Sequence, residues 1–249
     1  MLTLYGIHPV LEALKKRPRA VKSIHLARQG SDESLTQVRE LAQKHGIGLR
    51  AVTQQELIQL TGSSQHQGIA AQAEPFPLSD IDDVIMRARR KNERCFFLVL
   101  DCVQDPQNTG SLIRSAVCCG AQAVIFPKDR AAGLTPAVAK ASAGAIEHIS
   151  LCRVVNIAQT LDTLRSSDIW VAGTVPEAGQ SIYGFDFKRD LALVIGAEGP
   201  GMRRLVREKC DALLSIPMPG GFESLNASIA GAVVMFEALR QTQSTKFDA

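Results

Sequence analysis

Residues 95–120, CFFLVLDCVQDPQNTGSLIRSAVCCG, contain the unit from which most of the chain is built. The segment begins with a continuous apolar run that ends at Asp101, as is typical of a buried strand. A loop of turn-forming residues follows at 105–110, and the apolar residues after it recur with helical spacing. A strand, a polar loop and a helix in this order predict an α/β fold.

The same pattern continues to the end of the chain. The predicted strands are CFFLVL, QAVIF, WVAGTV, LALVIG and LLSIP, and helix-like segments separate most of them. Because these strands are apolar throughout, we expect a mainly parallel sheet covered by helices on both faces. Ligands bind such sheets beyond the carboxyl ends of the strands, so polar residues that directly follow a strand are candidates for function.

The N-terminal third reads as a separate, smaller α/β unit. IHPVLEALKK, DESLTQVRELAQKHG and QQELIQLTG have helical spacing, whereas KSIHLA, GLRAVT and GIAAQAE read as strands. The two prolines of PFPLSD then end regular structure. We therefore predict a domain at 1–74, a linker at 75–93 and a second domain at 94–249.

Composition excludes several classes of protein. Hydrophobic residues make up 45% of the 249, which favours a folded core over disorder. We predict neither a membrane segment nor a signal peptide, because no apolar run approaches about 20 residues and Glu12 interrupts the apolar N-terminus. The six cysteines form no C-x-x-C pair and the histidines show no metal-ligand spacing, so we expect reduced thiols, no metal and a cytoplasmic location.

Positive charge is concentrated towards the N-terminus. Residues 1–75 hold 9 Lys and Arg against 6 Asp and Glu, whereas residues 76–249 hold 19 of each kind. The basic cluster RARRKNER follows at 87–94. This distribution is a modest electrostatic footprint for nucleic acid. On charge alone, a solvated, charged linker is the favoured interpretation.

The first candidate motif follows the strand that ends at Asp101. Its helix is expected to start near Ser111, with Arg114 one turn further on. Asn108 would precede that helix, either as its cap or in contact with a ligand. A cap and a surface arginine are the structural alternative.

The second motif, GAEGPGM, follows the strand LALVIG. The spacing of Gly196, Gly199 and Gly201 is not G-x-G-x-x-G, and no G-K-[ST] is present, so a phosphate loop is excluded. The carboxylate of Glu198 would also repel a pyrophosphate. A ligand with an amine or a positive centre fits better, although a glycine-rich turn before a helix remains the alternative.

The third motif, SIPMPGGFESLNAS, follows the strand LLSIP. Two prolines stop the strand, and Gly220-Gly221 permit backbone geometry closed to other residues. Ser224 and Asn226 then begin a long apolar helix. A helix cap accounts for one of these polar residues but not for the whole loop.

The order and spacing of the three motifs resemble those of the SpoU (TrmH-like) family of SPOUT RNA 2′-O-ribose methyltransferases. The resemblance covers nearly the whole chain. The stretches YGIHPVLEAL, HQGI, PKDR and IWVAGT are similar to the members that methylate a guanosine ribose in bacterial 23S rRNA.

The resemblance implies a catalytic domain with a C-terminal trefoil knot, a homodimer, and an L30e-like RNA-binding domain at the N-terminus. It implies S-adenosyl-L-methionine as cofactor and rRNA as partner, with neither DNA nor a membrane involved. The implied catalytic residues are Arg114, Asn108, Glu198, Ser224 and Asn226. The implied cofactor-binding residues are Thr174, Gly196, Ile216, Met218 and Leu225.

The chemistry implied by the family is attack of a ribose 2′-hydroxyl on a methyl group, which restricts the substrate to RNA. The family assigns Arg114 as the catalytic residue. Because a guanidinium stays protonated, we expect it to bind phosphate and stabilise the developing oxyanion rather than to act as a simple base. A tRNA or another rRNA nucleoside is the alternative substrate, and an RNA-binding ribosome-assembly protein without catalysis is the alternative class.

Overall fold

The computed structural model describes residues 1–27, 33–220 and 224–243, and it divides the chain into two compact units. The smaller unit contains residues 1–77 and 134–148, and the larger contains residues 78–133 and the chain from 149 onward. The sequence pattern gave no indication that residues 134–148 belong with the N-terminal unit. A helix at Ile81–Arg90 occupies much of the segment that we expected to be a linker.

The helices and strands alternate along most of the chain. The strands are β1 (Leu2–Tyr5), β2 (Val21–Leu26), β3 (Gly48–Ala51), β4 (Ile69–Ala73), β5 (Phe96–Asp101), β6 (Ala123–Pro127), β7 (Ser150–Val154), β8 (Trp170–Thr174), β9 (Gln180–Ser181), β10 (Leu191–Gly196) and β11 (Ala212–Ser215). The helices are α1 (Ile7–Lys16), α2 (Glu33–Lys44), α3 (Gln54–Thr61), α4 (Ile81–Arg90), α5 (Pro106–Cys118), α6 (Pro136–Ala141), α7 (Ile157–Ser166), α8 (Arg204–Glu208) and α9 (Ala227–Gln243).

The smaller unit is built on a mixed sheet in the order β1-β4-β2-β3. The strand β4 pairs antiparallel with both β1 and β2, and β2 pairs parallel with β3. The predicted strands and helices of this region are all present, and the expected start of α2 at Asp32 lies outside the described residues. The strand β1 was not predicted, because it is only four residues long and runs almost directly into α1.

The larger unit contains the mainly parallel sheet that the sequence predicted. Its described strands follow the order β7-β6-β5-β10-β8-β11-β9, and each neighbouring pair is parallel. Every residue of the central strands β5 and β10 is buried, because the sheet is covered on both faces. The strands β7 and β9 were missed, since β7 lacks a continuous apolar run and β9 has two residues.

The predicted start of α5 near Ser111 is wrong. The helix begins at Pro106, and the side chain of Asp105 caps it by accepting a hydrogen bond from the backbone N–H of Asn108 at 2.7 Å. Proline is suited to the first helical position because the N–H that it lacks would have no partner there. Asn108 therefore lies inside the first turn, where its side chain is free for another contact.

The long helix α9 packs against α5 and β10. Gly231 makes this approach possible, because a Cβ at this position would overlap the buried side chain of Leu112 and lie 3.4 Å from Ile195. The two faces of the helix differ. Val234 and Met235 are fully buried, whereas Ile229 and Phe236 are about half exposed.

The described part of the chain contains neither a membrane-spanning helix nor a metal-binding cluster of side chains. No helix there combines the length and hydrophobicity needed to cross a membrane. No cluster of three or more His, Cys, Asp or Glu side chains there is arranged to hold a metal ion.

Candidate active site

The loops that follow β8, β10 and β11 line a cavity of about 920 Å³ at the carboxyl edge of the sheet. This volume lies within the range of about 300–1,000 Å³ that is usual for small-molecule sites. The cavity contains all five positions that the resemblance assigned to the cofactor, namely Thr174, Gly196, Ile216, Met218 and Leu225. Sequence positions up to 51 residues apart thus line one site.

Asn226 joins the three motifs through hydrogen bonds. Its side-chain amide donates to Oδ1 of Asn108 at 2.9 Å and also to a carboxylate oxygen of Glu198. Asn108 lies in the helix that follows β5, Glu198 in the loop that follows β10, and Asn226 itself in the loop that follows β11. The structure therefore brings together one predicted catalytic residue from each motif.

The other end of the Asn226 side chain caps α9. Its Oδ1 accepts hydrogen bonds from the backbone N–H groups of Ser228 at 2.9 Å and Ile229 at 3.2 Å. This was one of the two caps that the sequence allowed. Asn226 therefore holds the start of the helix and the bridge between the motifs in one fixed orientation.

The two remaining predicted catalytic residues are not part of this network. Ser224 is exposed and lines the 920 Å³ cavity, without a hydrogen bond to another described residue. Arg114 is exposed on α5, lines neither this cavity nor the smaller one described below, and has no hydrogen bond or ion pair with the described residues. Residues 221–223 of the third motif, including Gly221, lie outside the described residues.

The requirement for glycine at position 196 has a structural cause that the sequence did not reveal. A Cβ here would overlap the backbone carbon of Gly201 and the backbone nitrogen of Met202. The loop folds back on itself, with backbone hydrogen bonds in both directions between Ala197 and Gly201 at 3.2 and 3.0 Å. The absence of a side chain at 196 thus sets the shape of the loop that carries Glu198.

An ion pair between a buried carboxylate and a partly exposed guanidinium at the base of this loop was also missed. Asp101 is fully buried, and its carboxylate accepts from the backbone N–H of Arg203 at 2.8 Å and from Nε of the same residue at 2.7 Å. The hydrogen bond to Asp101 raises the pKa of Arg203, which remains charged. The signal in the sequence was a carboxylate at the end of an otherwise apolar strand.

The charged groups around the larger cavity are of both signs. Glu177 and Glu198 supply carboxylates, and Arg207 supplies a guanidinium. Such a site suits a ligand that carries a positive centre and a carboxylate of its own. Apolar side chains, including Ile216 and Leu225, line the rest of it.

Comparison with known proteins identifies the family. The model of the SpoU rRNA Methylase family matches residues 95–236, and the model of the RNA 2′-O ribose methyltransferase substrate-binding domain matches residues 3–79. The chain belongs to the SpoU rRNA methylase family.

Individual relatives are similar along their whole length. The putative TrmH family tRNA/rRNA methyltransferase YacO of Bacillus subtilis is 44% identical over 95% of this chain and 94% of the relative. The 23S rRNA (guanosine-2′-O-)-methyltransferase RlmB of Escherichia coli is 39% identical over 96% of this chain and 98% of its own.

A solved structure of a SpoU family member has the same fold. It is the methyltransferase AviRb from Streptomyces viridochromogenes in complex with the cofactor AdoMet, with a TM-score of 0.80 and 27% identity. The similarity covers 97% of this chain and 90% of AviRb.

Proposed function

We propose that this protein transfers a methyl group from S-adenosyl-L-methionine to the ribose 2′-hydroxyl of a guanosine in 23S rRNA. The observation that carries the proposal is the meeting of Asn108, Glu198 and Asn226 beside the 920 Å³ cavity. The full-length similarity to RlmB supports rRNA as the substrate.

The larger cavity suits S-adenosyl-L-methionine in charge and size. The carboxylates of Glu177 and Glu198 match its sulfonium and amine, and Arg207 matches its carboxylate. Leu225, which is 40% exposed, offers an apolar surface for the adenine. When bound, the cofactor supplies an electrophilic methyl group.

The residues of the chain position the acceptor and stabilise its charge. Hydrogen bonds to Asn108, to Glu198 and to the start of α9 hold the side chain of Asn226 in one orientation. A fixed side chain beside the cavity helps to hold the reacting groups in place. Ser224 offers a hydroxyl in the same cavity. Arg114 contributes a permanent positive charge that binds a phosphate and stabilises the oxyanion that forms as the 2′-hydroxyl loses its proton.

The guanidinium of Arg114, which has no partner among the described residues, fits a site that is completed by RNA and by a second subunit. We propose a homodimer formed through the catalytic domain, with the half-exposed Ile229 and Phe236 of α9 in its interface. We further propose that the C-terminal segment is threaded as a trefoil knot, as the family resemblance implies, and that the protein acts in the cytoplasm.

The N-terminal domain, residues 1–74, is proposed to bind RNA through an L30e-like fold. The match of residues 3–79 to the substrate-binding model supports this role, as does the excess of positive charge in the same region. Residues 75–93 would connect it to the catalytic domain at 94–249. A tRNA substrate is the second candidate, because the name of the YacO relative includes both kinds of RNA.

Calorimetry and methyl transfer together test the proposal. We expect the purified protein to bind S-adenosyl-L-methionine and to methylate 23S rRNA from a strain that lacks this activity. Methylation of tRNA alone would support the second candidate. Failure to bind the cofactor would instead favour an RNA-binding assembly protein without catalysis.

A further inference from the structure

A second cavity of about 400 Å³ lies beside the larger one and has no role in the proposal above. We propose that it binds the guanine base of the acceptor nucleotide and that Arg130 reads that base. This inference rests on the proposed function, because it assigns the substrate side of the same reaction.

The two cavities are adjacent and share an edge formed by the loop after β10 and by the first residue of α9. Ala197, Glu198, Gly201, Met202 and Ala227 line both of them. A nucleoside in the smaller cavity and a cofactor in the larger one would therefore lie next to each other at this shared edge. Glu198, which is hydrogen-bonded to Asn226, lies at the same edge. Asn108 lines only the smaller cavity and supplies the other partner of Asn226.

Arg130 differs from the other charged residues that line the smaller cavity. Asp105 caps α5, Glu198 binds Asn226 and Arg203 binds Asp101. Arg130 is exposed and has no hydrogen bond or ion pair with the described residues. It is thus the charged lining group left available for a ligand.

The backbone holds Arg130 at the cavity in an uncommon conformation. Its φ of 58° lies in the left-handed region, as does the φ of 62° at Cys102, which lines the same cavity. The backbone N–H of Ala132 donates to the carbonyl of Val103 at 3.1 Å and ties the two loops together. Strained non-glycine residues concentrate at ligand sites, which fits a binding role for this rim.

The guanidinium fork selects guanine over adenine. Two parallel N–H groups match the O6 and N7 acceptors of guanine, whereas adenine presents an amino group at the first of these positions. Single-stranded RNA can expose this edge when a base leaves its stack. The cavity volume is at the lower end of the usual range for a small ligand, as expected for one base.

The test compares Arg130→Ala with Lys128→Ala, which removes the same charge from the same exposed loop at a residue outside both cavity linings. The substrates are 23S rRNA fragments that carry guanosine or adenosine at the methylated position. We expect the wild-type preference for guanosine in kcat/KM to fall roughly 10- to 100-fold in Arg130→Ala and to persist in Lys128→Ala.

Two results would overturn the inference. An equal loss on both substrates would mean that Arg130 binds the phosphate backbone, and an unchanged preference would mean that the base is read elsewhere. Arg130→Gly provides a check on folding, since glycine adopts a φ of 58° without strain and should preserve the melting temperature.

A binding measurement separates this inference from the proposed function. The protein is loaded with S-adenosylhomocysteine and titrated with guanosine 5′-monophosphate or adenosine 5′-monophosphate. We expect tighter binding of the guanine nucleotide, and loss of that difference in Arg130→Ala alone. A wild-type protein that shows no difference contradicts the base site even if methyl transfer is intact, whereas absence of methyl transfer with an intact difference contradicts only the proposed reaction.

Discussion

Asn226 is the residue on which most of the proposed site depends. A single side chain donates to Asn108 and Glu198 and caps α9 through its carbonyl oxygen. The sequence indicated that each of these residues was polar and followed a strand. It did not indicate their bonding, because the partners lie 118 and 28 residues away along the chain.

Replacement of Asn226 separates its two roles. Asn226→Ala should cost about 1 kcal/mol of stability through loss of the cap. It should also lower methyl transfer at least about 100-fold, because Asn108 and Glu198 lose the donor that positions them. Thermal denaturation and initial rates measure the two effects.

Asn226→Ser is the matched control, since serine caps helices about as well as asparagine but cannot span both partners. We expect its melting temperature to return towards the wild-type value while its rate stays low. A serine variant with a near-normal rate would show that the bridge has no part in the reaction.

Arg114 is predicted to act through its charge. Arg114→Ala should abolish methyl transfer without weakening the binding of S-adenosyl-L-methionine, because Arg114 does not line the cofactor cavity. Arg114→Lys keeps the charge but loses the planar fork of the guanidinium. The methyl-transfer rate that this variant retains therefore measures the part of catalysis that depends on charge alone. Near-normal turnover in the alanine variant, measured beside calorimetry of cofactor binding, would refute the assignment.

The loop from β10 to α8 is shaped by the missing side chain of Gly196. Gly196→Ala should destabilise the protein by about 1–3 kcal/mol, because its Cβ meets backbone atoms that have little room to shift. It should also weaken cofactor binding, since the displaced loop lines that cavity.

Gly179→Ala is the control for this substitution. No atom of residues 1–27, 33–220 or 224–243 outside its immediate chain neighbours lies within 4 Å of the Cβ that it adds, so we expect little change in either measurement. Equal effects of the two substitutions on the urea midpoint and on the cofactor Kd would show that loss of glycine flexibility, rather than the close approach, is responsible.

The end of α5 provides a test of the packing of that helix. Cys118 is exposed, whereas burial raises the pKa of the neighbouring Cys119 to about 12. The Cys119 thiol therefore stays protonated until the pH approaches that value, and only the thiolate is nucleophilic. At pH 8 iodoacetamide should label Cys118 well before Cys119, as peptide mass spectrometry would measure.

Comparable labelling of Cys118 and Cys119 in the folded protein would contradict the packing of α5. In denaturant both cysteines should react alike, which provides the control.

In the molecule as a whole, the sequence alone was sufficient to predict the parallel sheet. It was not sufficient to predict the start of α5 or the contacts that shape the loops at the edge of the sheet. Runs such as LALVIG are apolar throughout because β10 is buried on both faces, so the pattern and the structure have the same cause. The start of α5 is set locally, by Asp105 as cap and Pro106 at the first helical position, and the residues that mark it were interpreted as a turn. The pair of Asp101 with Arg203 and the shape set by Gly196 instead depend on tertiary contacts. No local pattern encodes such contacts.

The cofactor positions were located by resemblance rather than by pattern. Thr174 ends a strand and Ile216 follows one, and neither stands out by composition or spacing. The structure places them in one cavity with Gly196, Met218 and Leu225. Their role in binding stays a prediction that the calorimetry above addresses.

The most direct test of the proposed ribose methylation is a map of 2′-O-methyl groups in the RNA of a strain with and without this protein. We expect the loss of a methyl group from a guanosine ribose of 23S rRNA in the strain without the protein, and its restoration when the purified protein and S-adenosyl-L-methionine are added to that RNA. An identical map in both strains, or a lost methyl group that lies on a base rather than a ribose, would contradict it.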